Sequence, residues 1–539
     1  MGKGGVRHAE EGLAAGAGSG GAEARRSGLR AGGGSAEPVH RLLLWPAGFR
    51  YSLFRTVRRL LHHGGVPDAG RPADRRRLRP SGRRTGQLPF LHRRAAVSDA
   101  GSLRQPADAH RPVDGHRRRM HDSLRPGAGA VSHPCDLRQN RGQGDYAETV
   151  FFNTISTLEN RGHQVIPFAL KNKKNKFSEY ESYFVDYPEL SESNIWTKIT
   201  NIPSFIYNRQ AAKQLERLIL DKKPDIAHIH LLFNSLSVSI LPVLQKYRIP
   251  TVMTVHDYRL ICPAYTLTNG KGKICELCKD RHFIHCTLNR CSNGNLTNSM
   301  LLSLENSFRS CFYEPLNYID KFIFVSKFAQ KKHIEFNPGY ASKAVQLYNF
   351  TPDIPTRINK KINHRYLLYF GRLSNEKGIN SLLEAIRDIP EIDLKIIGRG
   401  PLSKEIGNNY PKNVSFLGFK EGQELKEYVK NALFTIVPSE WYENNPLSII
   451  ESLSLGTPVI GSNIGGIPEL IQDEKTGFTF TMGSPADLTK TIRKAIAIPE
   501  EKLYEMSIAC NKFAQQHFSA DKHFNYLISI YQSILKASK

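Results

Sequence analysis

The 539-residue sequence has no run of about 18 apolar residues, which excludes a membrane-spanning helix of ordinary length. Its opening residues, MGKGGVRHAEEG, hold no apolar core, so no secretory signal is expected there. Cysteine is scarce, with eight residues, five of them between Cys262 and Cys291. That is too few and too local for a secreted disulfide scaffold, and it fits a reducing cytosol. Acidic residues are also short: 50 Asp+Glu against 75 Lys+Arg leave a formal net charge of +25 and a pI near 9.7. Spread evenly, that charge would point to nucleic acid or an anionic membrane as partner.

It is not spread evenly. Lysine is almost missing from residues 1–143, which hold 26 Arg and one Lys, against 14 Arg and 34 Lys in residues 144–539. With 11 acidic residues, the first segment carries about +16 of the +25. Stretches such as RPADRRRLRPSGRRTG sustain neither a helical nor a strand period of apolar residues. Such a segment can be a basic arm that grips phosphates, or a solvated low-complexity tail. Its residue bias fits translation of GC-rich DNA out of frame, or a fusion scar, better than either.

From Gly144 onward helical and strand-like stretches alternate. TVFFNTISTLENRG reads as an amphipathic helix ended by Gly162, and HQVIPFAL as the strand after it. DIAHIHLLF, PTVMTVH and DKFIFVS follow as short apolar strands, with helices between. After a polar linker the alternation restarts in RYLLYFG, IDLKIIG, NVSFLG, LFTIVPS and TPVIGS. Fully apolar strands alternating with helices predict α/β architecture, as two doubly wound parallel sheets facing across a cleft. The expected divisions are 1–143 as a disordered or out-of-frame segment, 144–350 as a first Rossmann-like domain, and 351–364 as linker. A second such domain then spans 365–519, and a final helix, 520–539, crosses back to the first.

Ligands of such sheets bind beyond the carboxyl ends of the strands. Glu443 stands there, in the loop after LFTIVPS. Asn445 reads as the N-cap of the next helix and Pro446 as its first residue, so the amides from Leu447 on form a phosphate seat. Glu451 lies roughly 7 Å further along the axis at 1.5 Å per residue. A diphosphate with a sugar on each side would use all three features. Read alone, the pair serves as well as a cap and an exposed helix glutamate. GRLSNEKG adds Arg372 and Lys377 at a second strand end, a forked donor and a point charge suited to a departing diphosphate. IIGRGPL adds a glycine turn with Gly398, and GSNIGGIPELI a Gly-Gly turn with Glu469 behind it.

With these motifs assembled, residues 144–539 resemble the group 1 glycosyltransferases, retaining nucleotide-sugar enzymes of GT-B fold that act in bacterial polysaccharide assembly. ENNPLSIIE matches that family's E-x7-E motif, and GRLSNEKG, IIGRGPL, LGF, GTPVIGSNIGGIPELI and GFTF carry the rest. The resemblance implies that Glu443 contacts the transferred sugar, Glu451 the ribose, and Arg372 with Lys377 the diphosphate. Asn445, Pro446, Leu447 and Gly398 complete the donor site. In the first domain His256 of TVHD would face the sugar as a second catalytic residue. No divalent metal is implied, and no Asp-x-Asp pair stands at a strand end. The implied partners are a nucleotide-diphosphate sugar and a glycan or lipid-linked acceptor, in the cytoplasm and peripherally at the inner face of the membrane. No specific nucleic acid is expected. An epimerase or phosphorylase of the same architecture is the rival enzyme, and a nucleic-acid-binding protein using the first 143 residues the rival non-enzyme.

Three further expectations follow. RGQGDYAETVFF resembles the family's glycine loop and first helix, with Gly142 and Gly144 as the glycines, but SHPCDLRQN before it has no strand pattern. The central strand of the first sheet is therefore expected to be missing, which places the chain's activity in doubt. In the insertion 259–295, Cys275, Cys278, Cys286 and Cys291 have a spacing that allows a structural zinc knot or a reduced loop. The basic stretch KNKKNKF, Lys171–Phe177, offers an electrostatic contact to anionic membrane or is a solvated loop.

Overall fold

The computed structural model describes residues 41–45, 146–172, 175–186, 202–233, 236–358, 365–404 and 410–537. The chain builds two six-stranded parallel sheets. The first holds β1 (Arg41–Trp45), β2 (Gln164–Pro167), β3 (Ile226–Ile229), β4 (Thr251–Val255), β5 (Lys321–Phe324) and β6 (Ala344–Gln346), in the order β2-β1-β3-β4-β5-β6. The second holds β7 (Tyr366–Phe370), β8 (Asp393–Ile397), β9 (Val414–Phe416), β10 (Phe434–Val437), β11 (Val459–Ser462) and β12 (Gly477–Phe480), in the order β12-β11-β10-β7-β8-β9. β3, β4, β7, β10 and β11 are buried at every residue. Parallel sheets covered by helices on both faces require just that, and it explains why these strands read as unbroken apolar runs.

The covering helices of the first domain are α1 (Tyr146–Glu159), α2 (Ile202–Ile206), α3 (Arg209–Lys222), α4 (Leu241–Lys246), α5 (Ile284–Leu288), α6 (Leu296–Phe312) and α7 (Lys327–Phe336). α3 shows how sequence sets such an element. Asn208 accepts from the Ala211 amide at 3.0 Å to cap its start, and Ala211, Leu215, Leu218 and Ile219 form the buried stripe. Lys223, at φ 48°, ends it. In the second domain α8 (Ile379–Arg387), α9 (Gly422–Asn431), α10 (Leu447–Ser454), α11 (Pro485–Ile496) and α12 (Glu500–His517) cover the sheet. The last helix, α13 (Ala520–Ala537), returns to the first domain. Its Leu527, Ile530, Tyr531 and Ile534 pack with Phe151, Val165, Ile226, Val252 and Ile323. At about 1.5–3 kcal/mol for each large side chain buried, this helix is an integral part of that core.

The missing central strand is corrected here. β1 occupies that position: Leu42 pairs with Val165 of β2 on one side and Ile226 of β3 on the other, and Leu43 and Leu44 continue both ladders. HRLLLWP is a short apolar run inside the Arg-rich segment, and residues 46–145 separate it from α1. A search just ahead of α1, where a tight strand-to-helix turn would place the strand, therefore passes it by. Arg41–Trp45 therefore belongs to the folded sheet. The rest of residues 1–143 lies outside the described residues, as do Gly142 and Gly144.

Candidate active site

The strand order of the second sheet reverses between β7 and β10, and the crevice at such a switch point is where doubly wound folds bind ligands. The loops leaving these strands are pressed together by glycine. A Cβ on Gly398, beyond β8, would lie 1.9 Å from the Gly371 carbonyl oxygen beyond β7. A Cβ on Gly378, at φ +69°, would lie 1.8 Å from the Pro438 carbonyl oxygen. Side chains are excluded at both positions, so the Arg372–Lys377 loop sits directly against the loop that carries Glu443. The Tyr369 hydroxyl donates to the Arg372 carbonyl at 2.7 Å and fixes the start of that loop, where Arg372 is half-buried.

Glu443 is the centre of the site. It is buried, and its Oε1 accepts from Lys377 Nζ at 2.5 Å and from Ser439 Oγ at 2.7 Å. Burial alone would raise its pKa, but the Lys377 ammonium and these hydrogen bonds outweigh it and hold the carboxyl below its ordinary range. Glu443 is therefore an anion at neutral pH. Lys377, a quarter exposed, also lies 5.1 Å from the centre of the Trp441 ring. The sequence assigns Glu443 and Lys377 to opposite ends of one ligand; here they form a salt bridge.

The start of α10 differs from expectation. Pro446, at φ −63° and ψ 123°, is the N-cap, and the helix proper begins at Leu447. Asn445 does not cap it. Its side-chain oxygen accepts from the Asn349 amide at 2.9 Å, so it holds the segment that follows β6. The helix still opens on amides with no partner of their own inside it, since the first internal bond runs from Ile449 to the Pro446 carbonyl at 3.1 Å. Glu451 lies one turn further along, half-buried.

The first domain supplies the opposite wall. His256, just beyond β4, is buried, and its Nε2 lies 3.1 Å from His230 Nδ1, with the two rings stacked 5.2 Å apart. Asn444, beside Glu443, donates to the His256 carbonyl at 2.7 Å, so the two proposed catalytic residues flank a direct inter-domain hydrogen bond. His230 and Asn444 were missed from sequence. HIH at strand spacing places His228 and His230 on one face, but a histidine on a buried strand is usually a satisfied core residue. His228 is one, bonded at 2.7 Å to both Tyr531 and Thr254.

These imidazoles make a prediction. Burial pushes His228 down to about 3 and His333 and His523 to about 4, and drives His230 well below its ordinary value. Between those values and the unfolded value near 6.5, the unfolded chain binds protons that the folded chain refuses. Stability is complete above about pH 6.5 and falls as pH drops through this window, by on the order of 1–2 kcal/mol per imidazole at pH 5. Melting curves at pH 7.5 and pH 5 should show the loss, and replacement of His333 by Gln should reduce it by one imidazole's share.

Other contacts clamp the domains together. Glu469 accepts from the Lys327 and Phe328 amides at 2.8 and 2.5 Å, capping α7 of the first domain. Tyr442 donates to Glu276 of the Cys-rich insertion at 2.9 Å. Among the described residues no group of three or more His, Cys, Asp and Glu could hold a metal ion, so the zinc knot finds no geometric support. Cys262, Cys278 and Cys286 instead pack with Phe283 in the apolar core, and burial pushes the Cys262 thiol up to about 11. Of the basic stretch 171–177, residues 173 and 174 lie outside the described residues, and Phe177 is fully exposed.

Known proteins share the sequence pattern and the fold of this chain. Residues 147–351 match the family model described as Glycosyltransferase Family 4, and residues 351–516 the one described as Glycosyl transferases group 1. An uncharacterised glycosyltransferase of Methanocaldococcus jannaschii is 29% identical over 213 residues, which cover 37% of this chain and 57% of that protein. An uncharacterised 42.6 kDa protein of the cps region of Klebsiella pneumoniae is 23% identical over 330 residues, covering 58% and 80%. For several curated relatives the match spans about half of their own length. Sucrose-phosphate synthase of Thermosynechococcus elongatus shares the fold, with a TM-score of 0.51 at 18% identity, covering 73% of this chain and 93% of that one.

Proposed function

We propose, for a chain that belongs to the group 1 glycosyltransferase family of GT-B fold, that it moves a sugar from a nucleoside-diphosphate sugar to a glycan or lipid-linked acceptor with retention of configuration. A role in cell-surface polysaccharide assembly fits its donor motifs and its cps-region relative. One observation carries the reading: a buried, ionised Glu443 paired with Lys377 at the switch point, beside the opening amides of α10.

The donor's diphosphate lies between Arg372, Lys377 and the amides after Pro446, from Leu447 on, beside the Gly398 turn that packs against Gly371. Those fixed donors are aimed where negative charge grows as the diphosphate leaves, which is where preorganised charge lowers a barrier most. Glu443 orients hydroxyls of the transferred sugar, and Glu451 holds the ribose. His256, on the far wall, faces the sugar centre. The acceptor hydroxyl attacks from the face that the diphosphate leaves, and the leaving phosphate oxygen takes its proton. No metal is needed for this route, because the charge is neutralised by protein groups.

The test is release of nucleoside diphosphate that depends on acceptor, with the product's anomeric configuration read by proton NMR. Release without acceptor at equal rate, or an inverted product, would overturn the proposal; interconversion of the donor sugar alone would favour an epimerase. Glu451→Ala should weaken donor binding by on the order of 1.5–3 kcal/mol, the contribution of a hydrogen bond to a charged group, as read by calorimetric titration.

A further inference from the structure

α6 is built inside out. Its sequence, LTNSMLLSLENSFRSCF, holds only two charged residues, Glu305 and Arg309, and both are buried. Glu305 pairs with Arg309 at 3.2 Å and with Arg259 at 3.1 Å, while the Arg309 guanidinium donates to the Arg259 carbonyl and covers the Phe233 ring. Leu302 is buried, but most of the large apolar side chains face outward instead. Leu296, Met300, Leu304 and Phe312 recur at four-residue multiples along one stripe, and Ile284 and Leu288 of α5 extend it; all six are between 48% and 68% exposed. α5 is held alongside by Thr287, which bonds Ser303 at 2.9 Å, and by Ser303, which donates to the Phe283 carbonyl at 2.9 Å. A ridge of this kind exceeds the scattered exposed apolar residues that any surface carries, and marks a contact face.

We propose that the α5–α6 ridge docks on an anionic lipid surface. Charge selects this occupant. In the segment 269–312 the exposed charged residues are Lys271, Lys273, Lys279, Arg281 and Arg290 against Asp280 alone. The 270–273 turn sits against Arg290 at the N-terminal end of α6, where the Gly270 amide donates to the Asn289 carbonyl at 3.0 Å. Arg281 lies at the other end, donating to the Ser310 carbonyl at 3.4 Å and pairing with Glu314. An apolar stripe between basic ends is the pattern of a helix that lies in a lipid interface, whereas two copies of this face would set like charges together. The helix is preformed: Asn295 caps it, accepting from the Asn298 amide at 2.9 Å, so docking orders no chain. No described helix is long and apolar enough to cross a membrane. The face would hold the first domain, and with it the His256 wall, against a membrane. This inference is independent of the donor chemistry proposed above.

The test is sedimentation of the full chain with vesicles of phosphatidylcholine alone and of phosphatidylcholine mixed with phosphatidylglycerol. The parent should sediment with the mixed vesicles, and high salt should reduce but not abolish this. Met300→Ser with Leu304→Ser should lower partitioning about tenfold or more, at an unchanged melting temperature, because both side chains are exposed. Independently, Leu304→Trp fluorescence should shift to the blue only when mixed vesicles are added. Partitioning of the double variant equal to the parent's would overturn the proposal. So would a parent dimer in lipid-free buffer that the double variant abolishes, since the ridge would then be a contact between copies.

Discussion

Lys377→Ala should lower kcat/KM for the donor by on the order of 10²–10³, the range seen when one preorganised donor at a developing anion is removed. The structure gives two reasons for an effect at the upper end. Lys377 is the cation nearest Glu443 in the crevice, and its loss leaves a buried carboxylate without its ion partner. Removing one member of a buried pair costs more than the pair contributes, on the order of 3–5 kcal/mol. Part of that cost should appear as a raised Glu443 pKa, because burial would then act without the ammonium to oppose it. The variant's activity should accordingly rise with pH through a range where the parent's is flat. Lys377→Arg keeps the charge but replaces a compact ammonium with a planar fork in a cramped loop, so it should recover only part of the rate. Glu443→Gln should also be deeply impaired, and the double variant hardly worse than either single one, since each removal already breaks the pair. Strictly additive losses, measured with purified folded variants, would separate Lys377 from Glu443 and contradict the site as described.

Leu43→Pro should unfold the first domain. Leu43 lies mid-strand in β1, aligned with Ile166 of β2 on one side and Ala227 of β3 on the other. Proline removes a backbone donor and is excluded from central strands for that reason. Leaving the opposed buried carbonyl without its donor costs about 1–3 kcal/mol before any knock-on repacking, a large share of a domain's usual margin. The second sheet, with its own core around Leu367, Leu394, Ile436 and Ile460, should survive. A thermal melt should show the first transition lost and a second retained, and proteolysis should leave a fragment beginning near residue 350. An unchanged melt would mean that Arg41–Trp45 is dispensable to the sheet.

The second domain was largely legible in the sequence because its signals are local. ENNPLSIIE, GRLSNEKG and IIGRGPL each pack a strand end, a turn and a functional side chain into under ten residues, and the turn glycines are dictated by contacts that admit no Cβ. What stayed hidden depends on long-range pairing. β1 is five residues long and is separated from its helix by residues 46–145, so no periodicity connects it to the sheet it completes. Asn445 looks like a cap because its neighbours are right; only the folded chain shows that the Asn349 amide claims its oxygen. His230 becomes interesting only when the end of β3 is set beside the end of β4. α6 has a clear amphipathic period, but a period gives a stripe and not which side faces water. That choice was made by Arg259, which comes from elsewhere in the chain and draws Glu305 and Arg309 inward.

The central claim is that the crevice between β7 and β10 seats a nucleoside-diphosphate sugar. Thermal stabilisation of the full chain by a panel of such donors tests it most directly, because a ligand that binds only the folded form raises stability by mass action, about 2.7 kcal/mol at a hundredfold excess over Kd. The expected result is a raised melting transition for the second domain with at least one donor, shared by the matching free nucleoside diphosphate and diminished in Glu451→Ala. A folded parent that melts identically with every donor at millimolar concentration, or a shift that Glu451→Ala leaves intact, would contradict it.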